Sequence, residues 1–318
     1  MTTDLLEWFE SAKRDLPWRQ NRSPYRVWLS EVMLQQTQVK TVIPYFNNWL
    51  ERFPSVKTLA NASLDEILKQ WEGLGYYRRA KNLHKAAQLV TFELNGNFPN
   101  SYEGWLELPG IGPYSAAAIS SILNNKAVVA VDGNVTRVAA RLFLLEGNPK
   151  AKSVREKLSE FISQDNPGAF NEGMMELGAT LCKKQNPDCL YCPINKYCQA
   201  YQQGRTTEFP QPRARSKRPH YEKYALIDIK NKQIWLRQRR ENEMLNSLWG
   251  FVLIDEKPND AKKLERVKHA YTHFSLGVTP VIQKAKKQEG QYVSIDSLNT
   301  IALSTLDHKI LKVIQDLL

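Results

Sequence analysis

The sequence predicts a mainly α chain carrying a small α+β domain at its C-terminal end. Apolar residues recur at helical spacing through most of residues 1–204, a proline- and arginine-rich stretch follows at 205–221, and residues 222–318 alternate apolar and polar side chains before one last amphipathic segment. A length of 318 residues is room for about two domains. With 42% hydrophobic and 24% charged residues, collagen-like, disordered and coiled-coil chains are excluded. No apolar run approaches a bilayer span; the longer uncharged stretches, such as Tyr114–Asn125, are short and contain serines. The opening MTTDLLEWFE carries an acid at position 4 and lacks the basic-then-apolar pattern of a secretory signal. A soluble, cytoplasmic protein is expected, nucleoid-associated in a bacterium, with no membrane partner.

Leu5, Trp8, Phe9 and Ala12 form the first apolar stripe. Ser23-Pro24 is a helix start, with serine as N-cap and proline in the first turn. The segment YRVWLSEVMLQQTQV after it has few breakers. Ser63-Leu64-Asp65-Glu66 fits a capping box before Ile67, Leu68 and Trp71. Gly73-Leu74-Gly75 interrupts, and Tyr76 to Leu94 resumes. Helical runs follow at about 113–123, 134–145, 153–163 and 170–182. Three prolines and five Lys/Arg make 205–221 an extended basic linker. Beyond it, YALIDI, Lys230-Asn231-Lys232 and QIWLRQR predict a hairpin, and FSLGVTPVIQ a strand. Ser304 to Leu318 predicts a closing helix with Leu306, Ile310, Val313, Ile314 and Leu317 on its apolar face.

Forty-four Lys+Arg against 33 Asp+Glu give a net charge of +11, which suits a polyanionic partner such as nucleic acid; a generic basic surface is the bland alternative. The four cysteines, Cys182, Cys189, Cys192 and Cys198, all lie within 17 residues, where a disulfide framework would spread them. Their Cys-x6-Cys-x2-Cys-x5-Cys spacing has one short knuckle, not the two usual in zinc modules, and favours a [4Fe–4S] cluster over zinc. Lys183, Lys184 and Lys196 flank the ligands, either facing phosphates or balancing the cluster charge.

Leu108-Pro109-Gly110-Ile111-Gly112-Pro113-Tyr114 lies between two helical segments. Gly110 and Gly112 let backbone N–H groups converge on an anion at the next helix start, the pattern of a helix–hairpin–helix clamp on a DNA phosphate. Asp132 ends the apolar run AVVAV ahead of a helical segment, where a carboxylate is favoured ionised and also suits a plain N-cap. On a helix, Glu31 shares its face with Val27, Trp28, Leu34 and Gln35, so its acid should be weakened by lost solvation. One acid and one anion with diverging pKa values form a familiar arrangement for cleaving a glycosidic bond.

The LPGIGPY hairpin, the VDGNV aspartate and the cysteine spacing resemble the endonuclease III superfamily of DNA glycosylases. SEVMLQQTQV and GLGYYRRAKNL narrow the resemblance to adenine glycosylases of the MutY type, over nearly the whole chain. The resemblance implies removal of adenine mispaired with 8-oxoguanine in duplex DNA by a single chain, with the adenine drawn out of the stack. It implies that Glu31 protonates adenine N7 and handles the water, that Asp132 stabilises the sugar cation, and that Tyr114 sits against the reacting centre. It further implies an adenine pocket of Trp18, Arg19, Leu34 and Glu176, with Gln36 and Tyr76 filling the gap in the duplex. The C-terminal domain resembles a Nudix fold but lacks the G-x5-E and R-E-x-x-E-E array for magnesium and pyrophosphate, which implies a binder of the oxidised guanine strand. The family's Phe-Ser-His loop stands here as Tyr271-Thr272-His273.

Two other functions compete. A glycosylase with lyase activity needs an amine nucleophile, and relatives of that kind carry lysine where this chain has Tyr114. An iron–sulfur DNA-binding module that senses redox state leaves the Glu31/Asp132 pair without a purpose.

Overall fold

The computed structural model describes residues 1–211, 218–259, 261–284 and 289–317. The chain divides into two compact units, residues 1–61 with 82–214, and residues 62–81 with 215–318. In chain order the helices begin with α1 (Thr2–Ala12), α2 (Pro17–Gln20), α3 (Pro24–Leu34), α4 (Val39–Arg52), α5 (Val56–Asn61), α6 (Leu64–Gln70) and α7 (Arg78–Gln88). They continue with α8 (Tyr102–Leu106), α9 (Pro113–Asn124), α10 (Gly133–Leu142), α11 (Ala151–Ser159), α12 (Pro167–Thr180) and α13 (Gln199–Gln202).

Local chemistry sets several of these boundaries as the sequence predicts. The Ser23 hydroxyl accepts the Arg26 N–H at the start of α3, and Ser63 and Glu66 close a reciprocal capping box on α6. The breaker-poor stretch from Tyr25 to Val39 is nevertheless not one helix. Gln35 leaves helical geometry and Gln36 takes φ 57, so a four-residue loop separates α3 from α4. That corner carries Gln36 to the surface while leaving Glu31 inside.

Apolar clusters hold the helical unit. Trp28, Trp49 and Trp105 are fully buried, and Tyr25 ties them down by donating to the Phe53 carbonyl (2.8 Å) and accepting from Trp49 Nε1 (3.1 Å). Another cluster joins Leu5, Val138, Leu142, Leu158, Phe170, Met174 and Leu177. The helix α12 packs on α1, α9 and α10. A Cβ on Gly178 would lie 2.6 Å from Asn134 Cβ, so glycine there lets α12 and the start of α10 close together. Residues 205–211 are not an extended linker. Phe209 is buried against Ala140 and Ala200, and the Phe209 carbonyl accepts from Arg141. The more basic part of that stretch, 212–217, lies outside the described residues.

In the second unit, β1 (His220–Ile227), β2 (Ile229–Lys230), β3 (Gln233–Gln238), β4 (Trp249–Gly250), β5 (Val252–Ile254), β6 (Lys262–Lys263), β7 (Val267–Ala270), β8 (Ser275–Ile282) and β9 (Gln291–Ser294) form two sheets. One sheet runs β5-β1-β8-β6 with β7 also on β8, and the other runs β2-β3-β4 with β9 on β3. The expected hairpin is thereby corrected. Ile229-Lys230 pairs with β3 and the Asp228 carbonyl accepts from the Trp235 N–H (2.9 Å), whereas Tyr224–Ile227 pairs in parallel with β8 and Tyr224–Leu226 antiparallel with β5. The closing helix α14 (Thr305–Val313) buries Leu306 and Ile310, and Ile314 just past it, among residues of both sheets. It is shorter than predicted: residues 315–317 form a 3₁₀ turn with Leu317 exposed, and Leu318 is outside the described residues.

Residues 62–81, helical by local sequence, belong with the sheets. Glu72 accepts from His308 Nε2 (2.5 Å) and from the Leu303 N–H (3.1 Å), Lys69 Nζ donates to the Ile301 carbonyl (3.1 Å), and Gln238 donates to Asp65 (2.9 Å).

Candidate active site

A cavity in the helical unit is lined by Trp18, Arg19, Glu31, Leu34, Tyr114, Asp132 and Glu176, together with Arg14, Arg22, Glu172 and Met175 among others. All seven residues assigned from sequence to catalysis or to the adenine pocket therefore share one wall. Glu31 sits mid-helix on α3 with only 6% of its surface exposed. Burial pushes its carboxyl up to about 7, with the carboxylates of Glu172 and Asp132 adding to the rise and a hydrogen bond from Tyr114 and the charge of Arg19 opposing it. Its Oε2 has no hydrogen-bond partner. A buried carboxyl that titrates near neutrality is poised to give and retake a proton.

Asp132 is the N-cap of α10, accepting from the Val135 N–H (2.7 Å), so the plain capping role and a place in the cavity coexist. Burial raises its pKa, against the pull of the Val135 and Asn134 N–H groups and Arg137. Tyr114, on the first turn of α9, donates its O–H to Met175 Sδ (3.0 Å), and its phenol oxygen stands beside Glu31, where it can accept from the protonated carboxyl. Burial holds its phenol well above the usual range, so it stays a neutral donor.

Sequence reasoning missed Arg14, Arg22 and Glu172. Glu172 and Glu176 stand one turn apart on α12, both buried, and without partners each charge would carry a desolvation penalty of several kcal/mol. Arg19 bridges them, Nε to Glu172 (3.0 Å) and Nη2 to Glu176 (3.0 Å). Arg14 grips Glu176 through Nε (2.5 Å) and Nη2 (3.1 Å), and Arg22 lies 2.8 Å from Glu172. The two glutamates at i and i+4 in an otherwise apolar helix were the available signal.

The hairpin forms a groove contiguous with this cavity, lined by Gln35, Gln36, Gly112, Pro113, Tyr114, Asp132, Asn134 and Arg137 among others. Gly110 has φ 83, and an added Cβ would fall 2.7 Å from Asn82 Cβ. Gly112 caps α9 with no side chain on its N–H groups, which leaves that helix start open to an anion. Gln36 is exposed at this mouth.

Cys182, Cys189, Cys192 and Cys198 are all free thiols lining one small cavity. Burial pushes Cys192 up to about 12, so a bare thiol there would keep its proton. Among the described residues no three His, Cys, Asp or Glu side chains gather closely enough for a single ion. Arg141, 2% exposed, donates to the Phe209, Lys183 and Lys184 carbonyls (3.0, 2.7 and 3.1 Å) and to Cys182 Sγ (3.2 Å). Of the flanking lysines, Lys183 pairs with Asp188 (2.8 Å) and Lys196 with Asp4 (3.1 Å).

In the second unit Tyr76 is exposed with φ 49, and its hydroxyl lies 2.8 Å from Thr272 Oγ1. Thr272 and His273 are exposed in the turn between β7 and β8, closed by the Tyr271 N–H on the Phe274 carbonyl (2.8 Å). The Tyr271 ring packs on Phe274 and His269, so it serves as the base of this loop.

Residues 29–164 match the HhH-GPD superfamily of base excision DNA repair proteins, and residues 223–313 match the NUDIX domain. The solved structure of a thermostable thymine-DNA glycosylase is similar over 64% of this chain and 95% of that one, with TM-score 0.58 and 27% identity. Endonuclease III trapped on DNA shares the fold at TM-score 0.56 and 22% identity, over 64% and 94% of the two chains. Fold and site thus define a helix–hairpin–helix DNA repair glycosylase with a trailing NUDIX-like domain. The adenine DNA glycosylase of Buchnera aphidicola from Acyrthosiphon pisum is 34% identical, covering 87% of this chain and 85% of its own. That from Schizaphis graminum is 31% identical over 97% of each, and that of Arabidopsis thaliana 36% identical over 92% and 54%. The chain belongs to the adenine DNA glycosylase family, enzymes of base excision repair.

Proposed function

We propose that this cavity releases adenine paired with 8-oxoguanine in duplex DNA and leaves an abasic site without cutting the strand. The observation that supports this most is the buried Glu31 carboxyl, raised to about 7 beside Asp132 and Tyr114. Glu31 gives its proton to adenine N7, and the C1′–N9 bond breaks with its electron pair going to the base. Asp132 stabilises the cation left on the sugar, and the Glu31 carboxylate takes the proton of the water that adds to C1′. Tyr114 holds Glu31 in place. Trp18, Arg19, Leu34 and Glu176 enclose the base. Among the described residues lining the cavity there is no lysine to form a Schiff base, which favours hydrolysis over lyase chemistry.

The open start of α9 at Gly110–Gly112 suits a DNA phosphate, and Gln36 and Tyr76 suit the space vacated in the duplex. Thr272 and His273 offer polar groups to the 8-oxoguanine. The four cysteines fit a [4Fe–4S] cluster, since all four sulfur-bearing residues line one small cavity and can supply one thiolate per iron. Bound there, the cluster would tie loop 182–198 together, and no step of base release is assigned to it. The protein acts as a single chain on duplex DNA.

The test is incubation with duplex DNA carrying adenine opposite 8-oxoguanine, followed by heating in alkali to break abasic sites. Strand breaks that appear only after alkali support monofunctional adenine release, and intact strands after alkali would overturn it.

A further inference from the structure

We infer that Glu172 is a positioning residue for the acid: held on the cavity wall by Arg19 and Arg22, its carboxylate keeps the proton on Glu31. This rests on Glu31 being the proton donor.

The cavity is lined by three guanidiniums, Arg14, Arg19 and Arg22, and four carboxyl groups, Glu31, Asp132, Glu172 and Glu176. Ionising Glu31 adds a fourth carboxylate to this cavity, where burial weakens screening, while Arg137 of the adjoining groove acts on Asp132. The groups facing Glu31 are Tyr114 from α9, Asp132 at the start of α10, Glu172 and Glu176 from α12, Arg19 from α2, and Arg14 and Arg22 from the flanking loops.

The two α12 glutamates are not equivalent. Glu176 accepts from the Arg14 N–H, Nε and Nη2 and from Arg19 Nη2, so its charge is closely answered. Glu172 accepts one hydrogen bond, from Arg19 Nε. Its Oε2 contacts the more exposed Arg22 at 2.8 Å but off the line of a hydrogen bond. The field that reaches Glu31 from α12 is therefore mainly that of Glu172. In agreement, Glu172 stands ahead of Asp132 among the charges that raise the Glu31 carboxyl.

The experiment measures single-turnover adenine release from duplex DNA with adenine opposite 8-oxoguanine, across pH, for the wild type and for Glu172→Gln, Glu172→Asp, Arg22→Gln and Glu31→Gln. Removing the Glu172 charge should move the alkaline limb to lower pH by roughly half to one unit, a loss of about three- to tenfold near pH 8 with the acid plateau kept within about twofold. Glu172→Asp should restore the wild-type limb. Arg22→Gln, which unmasks the Glu172 charge, should move the limb the other way. A Glu172→Gln limb that superimposes on the wild type, or an equal loss at every pH, overturns the inference. If Glu172→Gln does not fold, an Arg22→Gln limb that stays in place or moves to lower pH overturns it, and a limb moved to higher pH supports it. Near-normal release by Glu31→Gln would instead overturn the assignment of the proton donor itself.

Discussion

The burial of Glu31 has a cost in stability that depends on pH. Its folded pKa of about 7 lies above the ordinary 4.5, so the folded protein holds more protons between those values. Stability is therefore undiminished below about pH 4.5, falls as pH rises through the window, and is lower by on the order of 3 kcal/mol above pH 7. Glu31→Gln should accordingly melt at a higher temperature than the wild type at pH 8, with the gap closing toward pH 4.5; an equal gap at both would refute the burial account. The same variant should lose about 10²- to 10⁴-fold or more in single-turnover adenine release, because the amide cannot supply a proton. Asp132→Asn separates two roles at one position. Asparagine also caps helices, so the melting temperature should hold, while release falls by at least about 10²-fold for want of an anion beside the sugar cation.

Among the elements, the hairpin depends on Gly110 and the cysteine loop on Arg141. A side chain on Gly110 must adopt φ 83 and push against Asn82. Gly110→Ala should therefore weaken duplex binding by about tenfold or more, from about 1–2 kcal/mol of backbone strain together with the clash, while release at saturating enzyme changes little. Loss of release without loss of binding would mean that the hairpin serves catalysis directly. Arg141 is the internal tie of the cysteine loop, and Arg141→Met leaves three carbonyls and a cysteine sulfur without their donor. With the proposed cluster bound in the wild type, purified Arg141→Met should contain clearly less iron, with the loop cut faster by protease, at a cost of about 2–4 kcal/mol. Wild-type iron content in that variant would show the loop to be held by its cysteines alone.

For the whole molecule, the division into units changes what a truncation removes. Deleting residues 222–318 takes away the partners of Asp65, Lys69, Glu72 and Tyr76, although those residues lie in the first third of the chain. The shortened protein keeps every cavity residue and should still release adenine, but it should melt at a lower temperature. Its preference for 8-oxoguanine over guanine opposite the adenine should fall about ten- to a hundredfold, the worth of a good base contact. Thr272→Ala with His273→Ala should reproduce much of that fall in the ratio of the two rates, and an unchanged ratio in the truncated form would assign lesion reading to the helical unit. Duplex affinity should also decline steeply with salt, as the net charge of +11 implies counterion release.

Much of this molecule was legible before any coordinates because the signals are local. Ser23 and Ser63 announce helix starts through groups three residues away, and Glu31 on an apolar stripe announces a buried acid. The arrangement of sheet strands was not legible, since Tyr224–Ile227 alternates equally well beside β3 or beside β8, and only the long-range parallel pairing decides. Nor does anything in residues 62–81 say which body their apolar side will meet. The charge lattice round the acid was hidden for the same reason. Arg19 and Glu172 are 153 residues apart, so their meeting depends on how α12 packs, not on any motif either belongs to. Periodicity and caps are written into neighbouring residues. Which distant charges share a desolvated cavity with Glu31, and hence how firmly it keeps its proton, follows only from the packing of α12 against helices from much earlier in the chain.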